Sequence, residues 1–151
     1  MKVLVIAGDR LGRYDPLKAK GGKAGTQLGE VTVLATGSQS REKARLAAPI
    51  PDVHSVIQTT HPALQHPGVE NLALLITSLA DSFDIILAVQ STFGNDLIPR
   101  AAALCNRSPI TGISAITDNN HVVRPIHAGA ILSTVSLTQT PIFLTIRPTS
   151  F

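Results

Sequence analysis

The chain has 151 residues, of which 44% are hydrophobic and 15% are charged, and its formal net charge is +3. These proportions exclude an intrinsically disordered chain and fit a single folded domain over residues 1–151. Aromatic residues make up 3% of the chain, too few for the stacked aromatic surface of a nucleic-acid-binding protein. We therefore expect an aliphatic core and no nucleic-acid partner.

The cysteine content and the hydropathy of the chain indicate the cellular compartment in which the protein is expected. Cys105 is the only cysteine, so no internal disulfide can form, which fits a reducing environment. No apolar run approaches the ~20 residues that a membrane-spanning helix requires, and no signal peptide precedes the first apolar run. We expect a soluble protein without a membrane span, in the cytoplasm or, for a eukaryotic source, in the mitochondrial matrix.

The first two thirds of the chain alternate between short apolar runs and segments of helical periodicity. Continuous apolar runs are typical of parallel strands covered on both faces, and apolar residues at i, i+3 and i+4 are typical of helices. This pattern predicts strands at Lys2–Ala7, Glu30–Ala35, Val53–Gln58 and Asp84–Gln90. It predicts helices near Ala24–Leu28 and at Arg41–Ala48, Val69–Phe83 and Asn95–Cys105.

Local signals refine the predicted helices. Ser38 or Ser40 is expected to cap the second helix, and Pro99 should lie near the first turn of the last one, where its missing N–H costs little. Five glycines and a proline within residues 12–29 leave room for only a short first helix, preceded by an extended or mobile basic loop. The Gly-Gly-Lys-Ala stretch there lacks the spacing of a phosphate-binding loop.

Beyond Asn106 the pattern changes to short β-prone segments separated by turns. Strands are predicted near Ile110–Thr117, His121–His127, Ile131–Leu137 and Ile142–Arg147. No helix separates the last three, so we expect antiparallel strands added to an otherwise parallel sheet. The predicted fold class is α/β, a three-layer, doubly wound, mostly parallel sheet with antiparallel strands near the C-terminus.

The loop after the fourth predicted strand is the best candidate for a ligand site, because ligands bind at the carboxyl ends of the strands in such sheets. Its candidate binding residues are Ser91, Thr92, Gly94 and Asn95, whose hydroxyl and N–H groups could hold a nucleotide or another anion. The same residue types are equally typical of a helix start that caps itself. The residues alone leave both interpretations open.

Recognised catalytic motifs are missing. The Gly-x-Ser-x-Gly pattern does not surround Ser91, and the glycine fingerprint of dinucleotide-binding domains does not follow the first strand. The five histidines have no paired metal-ligand spacing. We therefore expect no catalytic residues and no metal site, and the residues favour a binding or partner domain over an enzyme.

Three motifs together carry a family resemblance. Ser91–Leu104 contains Gly-Asn-Asp-Leu-Ile-Pro-Arg-Ala-Ala-Ala, Arg124–Gly129 reads Arg-Pro-Ile-His-Ala-Gly, and Thr145–Phe151 reads Thr-Ile-Arg-Pro-Thr-Ser-Phe. In this order and spacing they are similar to motifs of the N-terminal domain of the electron-transfer flavoprotein alpha subunit. The resemblance covers nearly the whole chain.

This resemblance implies an adenine-nucleotide-hydrolase-like, Rossmann-like fold and an electron-carrier subunit without a catalytic set of its own. The full-length family protein is a heterodimer with a beta subunit; it contains FAD and carries electrons from dehydrogenases to a quinone reductase. Most of the FAD site belongs to a second alpha domain, which should begin where this sequence stops. The implied role is therefore to dock the beta subunit and support the flavin domain, with no FAD tightly bound to this chain alone.

Departures from the family pattern indicate a diverged member. His127 replaces the usual Tyr, Gly112 stands where Asp is usual, and Arg10–Gly29 lacks the usual helical composition. The alternative function is a free-standing nucleotide-binding α/β domain that uses the loop after the fourth strand. A third hypothesis is an unrecognised small hydrolase.

Overall fold

A computed structural model describes residues 1–8, 21–118 and 120–151, with the backbone alone for residues 21–23. Of the basic loop predicted within residues 10–29, residues 10–20 lie outside the described part of the chain. The strands are β1 Lys2–Ile6, β2 Glu30–Ala35, β3 Val53–Gln58, β4 Ile85–Val89, β5 Ile110–Ile113, β6 Ala115–Asp118, β7 His121–Ile126, β8 Ile131–Ser136 and β9 Ile142–Ile146. The helices are α1 Gly21–Leu28, α2 Ser40–Ala47, α3 Val69–Leu79 and α4 Thr92–Leu104, with short 3₁₀ turns at Pro62–Leu64, Ala80–Ser82 and His127–Gly129.

Six strands form a central sheet in the order β3-β2-β1-β4-β9-β5. Every pair of neighbours in this sheet is parallel. The chain first builds the sheet from β1 toward β3 and then crosses to the other side of β1 with β4. The gap between β1 and β4 is therefore the switch point at which loops diverge and ligands commonly bind.

The sheet is covered on both faces by two separate apolar clusters. One cluster joins sheet residues to α1, α2 and part of the antiparallel sheet, and includes Val5, Val33, Ala24, Ala47 and Val122. The other joins the opposite face to α3 and α4, and includes Leu4, Phe143, Ile76, Leu97 and Ala101. This confirms the predicted three-layer, mostly parallel α/β fold.

The antiparallel strands form a sheet of their own, in the order β6-β7-β8, instead of extending the parallel sheet. Strand β9 returns to the parallel sheet and lies between β4 and β5. All five of its residues are buried, and only a central strand can be covered in this way on both faces. The alternation of β-prone segments and turns did not predict this return.

The predicted strand Ile110–Thr117 is divided between the two sheets. Strand β5 pairs with β9, whereas β6 pairs with β7. Ser114 lies at the junction, and its backbone N–H donates to the carbonyl of Val123 at 2.8 Å. Gly112 has a φ of +71°, a left-handed conformation that few other residues adopt without strain. The chain can therefore leave one sheet and enter the other within two residues.

Helix α2 is not capped by a serine side chain. Its N-cap is Gln39, which accepts no side-chain capping bond, so the prediction of Ser38 or Ser40 as a cap was wrong. The Ser40 hydroxyl instead donates to the carbonyl of Thr59 at 2.9 Å. This bond ties the first turn of α2 to the segment that follows β3.

Helix α1 begins at Gly21, three residues before the predicted Ala24, and lies close to the sheet at Gly25. A Cβ atom on Gly25 would lie 2.9 Å from Cγ2 of Val31 and 3.2 Å from Cγ2 of Val5. Both distances are shorter than ordinary van der Waals contact between carbon atoms. The glycine therefore allows a close approach between helix and sheet that a side chain would prevent.

We expect Gly25→Ala to lower the free energy of unfolding by about 1–3 kcal/mol, because the two valines are short and held in central strands. Helix propensity alone predicts the opposite sign, a gain of about 1 kcal/mol. Urea denaturation of the variant would measure the difference. Gln27→Ala, at an exposed position of the same helix, is the control and should change stability by less than about 0.5 kcal/mol. A Gly25→Ala variant more stable than wild type would contradict the close contact.

Candidate functional site

The candidate loop follows β4 at the carboxyl edge of the central sheet, beside the switch point between β1 and β4. The backbone N–H of Gln90 donates to the carbonyl of Ile146 at 2.7 Å, which holds the end of β4 against β9. Helix α4 begins two residues later, at Thr92. The structure therefore brings Ser91, Thr92, Gly94 and Asn95 together at one helix start.

Two of the four candidate residues, Ser91 and Gly94, shape this helix start. The Ser91 hydroxyl accepts a hydrogen bond from the backbone N–H of Gly94 at 3.0 Å, and the Ser91 carbonyl accepts one from Asn95 at 2.8 Å. A Cβ atom on Gly94 would overlap the carbonyl oxygen of Val89. Ser91 is thus the N-cap of α4, and Gly94 lets the first turn lie against the end of β4.

The other two candidates, Thr92 and Asn95, are exposed in the first turn of α4. N–H groups in the first turn of a helix have no carbonyl partner within the helix, and together with the helix dipole they favour an anion. Ligand binding at this loop stays a prediction.

Helix α4 begins three residues before the predicted Asn95, and this corrects the expected position of Pro99. Pro99 lies inside the 13-residue helix, not in its first turn. The cap formed by Ser91 is the physical reason, because it starts the helix directly after the strand. A proline at this position cannot donate to the carbonyl of Asn95, so the helix tolerates one missing bond near its exposed side.

Arg100 follows Pro99 on the exposed side of α4. Its guanidinium lies 3.7 Å from a carboxylate oxygen of Glu70 on α3 and 3.8 Å from one of Asp96. All three side chains are largely exposed, so these ion pairs contribute little to stability. They join the two helices at the surface.

A partly open pocket of about 270 Å³ lies near the loop and was not predicted. Its walls come from the segment after β2, from the loop after β3 and from Phe93 of α4. Lys43 lines it with a side chain that is only 5% exposed, and its Nζ donates to the carbonyl of Thr36 at 3.0 Å. The sequence contained one signal for a buried lysine. The i, i+3 and i+7 spacing of Ser40, Lys43 and Ala47 places Lys43 on the buried side of α2.

This pocket does not fit the FAD that the family resemblance implies. Pockets that bury even drug-sized ligands measure about 300–1,000 Å³, and a flavin dinucleotide is larger than such ligands. Among the residues that the structure describes, no group of three or more His, Cys, Asp or Glu side chains could hold a metal ion.

Two histidines have local partners. The Nδ1 atom of His61 accepts from the backbone N–H of Ala63 at 3.1 Å. His121 Nδ1 lies 2.9 Å from Asp118 Oδ1 in the turn between β6 and β7. The backbone N–H of Asn120 donates to the Asp118 carboxylate, and this bond, with the contact to His121, lowers the pKa of Asp118. Both contacts stabilise turns.

Comparison with known proteins identifies the family. The family model described as "Electron transfer flavoprotein domain" matches residues 2–151. The chain is 35% identical, over its whole length, to the mitochondrial electron transfer flavoprotein subunit alpha of Arabidopsis thaliana, of which it covers 44%. It is 35% identical over 88% of its length to the subunit alpha of Paracoccus denitrificans, of which it covers 43%.

A third relative, the subunit alpha of Pseudomonas aeruginosa, is 32% identical over 82% of the chain, which covers 40% of that protein. The chain thus spans less than half the length of these relatives. No helix in the described part of the chain is long and apolar enough to cross a membrane. On the match over residues 2–151 and the similarity to these three alpha subunits, the chain belongs to the electron transfer flavoprotein domain family and corresponds to an alpha-subunit N-terminal domain.

Proposed function

We propose that residues 1–151 act as one α/β domain, the N-terminal domain of an electron-transfer flavoprotein alpha subunit. In this role it docks the beta subunit and supports the FAD-binding domain while electrons pass from dehydrogenases to a quinone reductase. The observation that carries the proposal is the family match over residues 2–151. The 35% identity to an alpha subunit over the whole chain supports it.

The arrangement of the candidate loop supports a role without catalysis of its own. The Ser91 hydroxyl is engaged by the N–H of Gly94, so it is oriented toward the helix backbone and not toward a general base. Within the described residues, two histidine side chains lie close to carboxylates, and their partners are Glu30 for His54 and Asp118 for His121. No nucleophile and base are paired here in the way that acyl transfer requires.

FAD is proposed to bind the family heterodimer and not this chain alone. The relatives are more than twice as long as the part that matches this chain, which leaves room in them for a separate flavin-binding unit. The pocket beside Lys43 is too small for FAD, which agrees with a flavin site outside this chain. A location in the cytoplasm or the mitochondrial matrix is consistent with relatives of both bacterial and mitochondrial origin.

Co-expression with an electron-transfer flavoprotein beta subunit from the same source tests this function. The tagged 151-residue chain should retain the beta subunit in equimolar amount through affinity purification and size-exclusion chromatography. Purified alone, it should show no flavin absorbance. Failure to retain the beta subunit, or stoichiometric flavin in the isolated chain, would contradict the proposal.

A nucleotide site at the α4 start is the second candidate function. The observation that favours it is the exposure of Thr92 and Asn95 at the first turn of a 13-residue helix, beside the switch point of the sheet. Phosphate groups bind at helix N-termini in this position in many α/β proteins. The ligand would be AMP or ATP, held through its phosphates.

We expect Thr92→Val combined with Asn95→Ala to weaken AMP binding by about a hundredfold or more if this second function is present, since each lost hydrogen bond to a charged group is worth about 1.5–3 kcal/mol and about 1.4 kcal/mol is a factor of ten. Isothermal titration calorimetry measures the binding. Thr77→Val, which alters a hydroxyl that donates to Ala73 within α3, is the control and should leave binding unchanged. Absence of saturable AMP binding by the wild-type chain would leave the loop with the role of a helix cap.

A further inference from the structure

Strand β3 is one edge of the central sheet, and in the described sheet it pairs with β2 alone. Its sequence, Val-His-Ser-Val-Ile-Gln, contains neither a charged residue nor a proline. Charges and prolines are the usual means by which edge strands avoid pairing with other chains. The register with β2 shifts at His54, so residues 55–58 are the regular part of the edge. These residues therefore have backbone groups on their outer side to which another strand can bind.

A groove of about 580 Å³ lies beside this part of the edge, on the face of the sheet that α2 covers. Small apolar side chains form part of its surface, and two arginines line it from the helix. Its lining residues are Arg41, Ala44, Arg45, Ala48, Val56 and Gln58. The last two belong to β3, so a strand paired with residues 55–58 would lie alongside the groove.

The charge of the groove is positive. Arg41 and Arg45 are exposed, and the described lining residues include no acidic side chain. The two arginines are four residues apart on α2, so their Cβ atoms lie about 5–6 Å from each other on one side of the helix. Arg45 also lies 3.7 Å from a carboxylate oxygen of Glu42, but this pair is exposed and contributes little, so another carboxylate can replace it. The groove therefore favours a ligand with two neighbouring negative charges.

An extended peptide can supply two charges at this spacing. In a strand, side chains two residues apart point to the same face and lie about 6.6 Å from each other. This distance is close to the separation of Arg41 and Arg45 along the helix. Arginine binds carboxylates through two parallel hydrogen bonds, which adds geometric specificity to the charge attraction. A strand that pairs with β3 and carries two acidic residues separated by one residue therefore fits both the edge and the groove.

We propose that the outer edge of β3, together with Arg41 and Arg45, is a docking surface for an extended acidic segment of another protein. The segment adds a strand beside residues 55–58, and two Asp or Glu side chains, separated by one residue, bind the two arginines. The proposal goes beyond the proposed function, which assigns no partner to this edge of the sheet.

A second copy of this chain fits the surface less well. No two acidic residues in the 151-residue sequence are separated by a single residue, so the chain contains no segment of the required pattern. Antiparallel pairing of β3 with its copy about a two-fold axis keeps α2 of both copies on one face of the joined sheet, so that their arginines would approach each other. The 3% aromatic content also offers little for stacking the bases of a nucleic acid.

The test titrates the 151-residue chain into a fluorescein-labelled peptide, Thr-Val-Glu-Val-Glu-Val-Thr with blocked ends, and follows fluorescence anisotropy. The peptide should bind saturably, and the same peptide with Gln in place of both Glu residues should bind about tenfold more weakly. Arg41→Gln combined with Arg45→Gln should weaken binding of the Glu peptide by a similar factor and make it less dependent on salt. Arg100→Gln combined with Arg147→Gln is the matched control, since it removes the same charge from exposed positions outside the groove and should bind as wild type does.

Strand pairing is tested with the peptide backbone. N-methylation of alternate peptide residues removes the N–H donors from one edge of the peptide. An added strand turns only one edge toward β3, so methylation of one alternate set should abolish binding and methylation of the other should be tolerated.

Several results would overturn the proposal. Absence of saturable binding, equal binding of the Glu and Gln peptides, or tolerance of both methylation patterns would each do so. Displacement of the peptide by a single-stranded oligonucleotide would also overturn it, because the arginines would then attract polyanions in general. The peptide variants test the proposal on the wild-type chain, and unfolding curves that match wild type establish that the protein variants are folded. None of these results alters the proposed function, which is tested by retention of the beta subunit.

Discussion

Replacement of Gly94 by alanine is expected to lower the free energy of unfolding by about 3 kcal/mol or more. The added methyl group would overlap the carbonyl oxygen of Val89, which is backbone at the end of a central strand and cannot turn away as a side chain could. The same methyl group would lie 3.5 Å from the Ser91 hydroxyl that caps the helix. Relief of the overlap must therefore move the first turn of α4 away from β4. Urea denaturation followed by circular dichroism measures the loss.

Gly68→Ala is the control for this prediction. Gly68 also lies at a helix start, but its φ is −63°, and the nearest atom to an added Cβ is a carboxylate oxygen of Glu70 at 3.0 Å. That oxygen is the far end of a flexible side chain and can move, so the cost should be at most about 1 kcal/mol, the usual effect of a changed cap. Equal losses for the two variants would refute the idea that the contact with Val89 requires a glycine.

Phe143→Ala is expected to destabilise the fold by about 3–5 kcal/mol, the usual cost of removing a buried phenylalanine side chain. Phe143 is completely buried in the cluster between the central sheet and helices α3 and α4. It lies on β9, in register with Ile86 of the neighbouring β4. The cavity would thus open at the middle of the sheet, where little can move to fill it.

This variant also tests the central position of β9. Phe93→Ala is the comparison, because Phe93 is only half-buried at the edge of the same cluster and should cost clearly less. If β9 were instead an antiparallel edge strand, the Phe143 side chain would be only partly buried. The two variants would then lower the free energy of unfolding by similar amounts. Similar unfolding free energies for both would therefore contradict the observed strand order.

The local sequence pattern was sufficient to predict most of the strands and helices. The bounds of β2 and β3 are those predicted, β1 is one residue shorter at its end, and β4 is one residue shorter at each end, since a run of apolar residues between turn signals is a local property. The position of the candidate loop after β4 was also predicted correctly. A loop between a buried strand and the helix that follows it must lie at the carboxyl edge of the sheet. The family motifs gave the relationship that the comparisons confirm.

Other features depended on residues distant in sequence. Helix propensity disfavours Gly25, yet the valines of β1 and β2 require it. At Gly25 a contact made by tertiary packing therefore outweighs a helix preference of about 1 kcal/mol. The position of Pro99 inside α4 has a local cause instead, because the Ser91 cap bonds Gly94 three residues away and starts the helix earlier.

The sequence by itself determined the α/β class, the aliphatic core and the order of most strands and helices, because periodicity and composition depend on neighbouring residues alone. Only the tertiary structure decided that β9 returns to the centre of the parallel sheet and that β6, β7 and β8 form a separate one. It also decided that Lys43 lines a pocket and that Ile131 and Leu132 are left uncovered. The physical reason is that strand pairing and burial are completed by groups far away along the chain, which no local pattern contains.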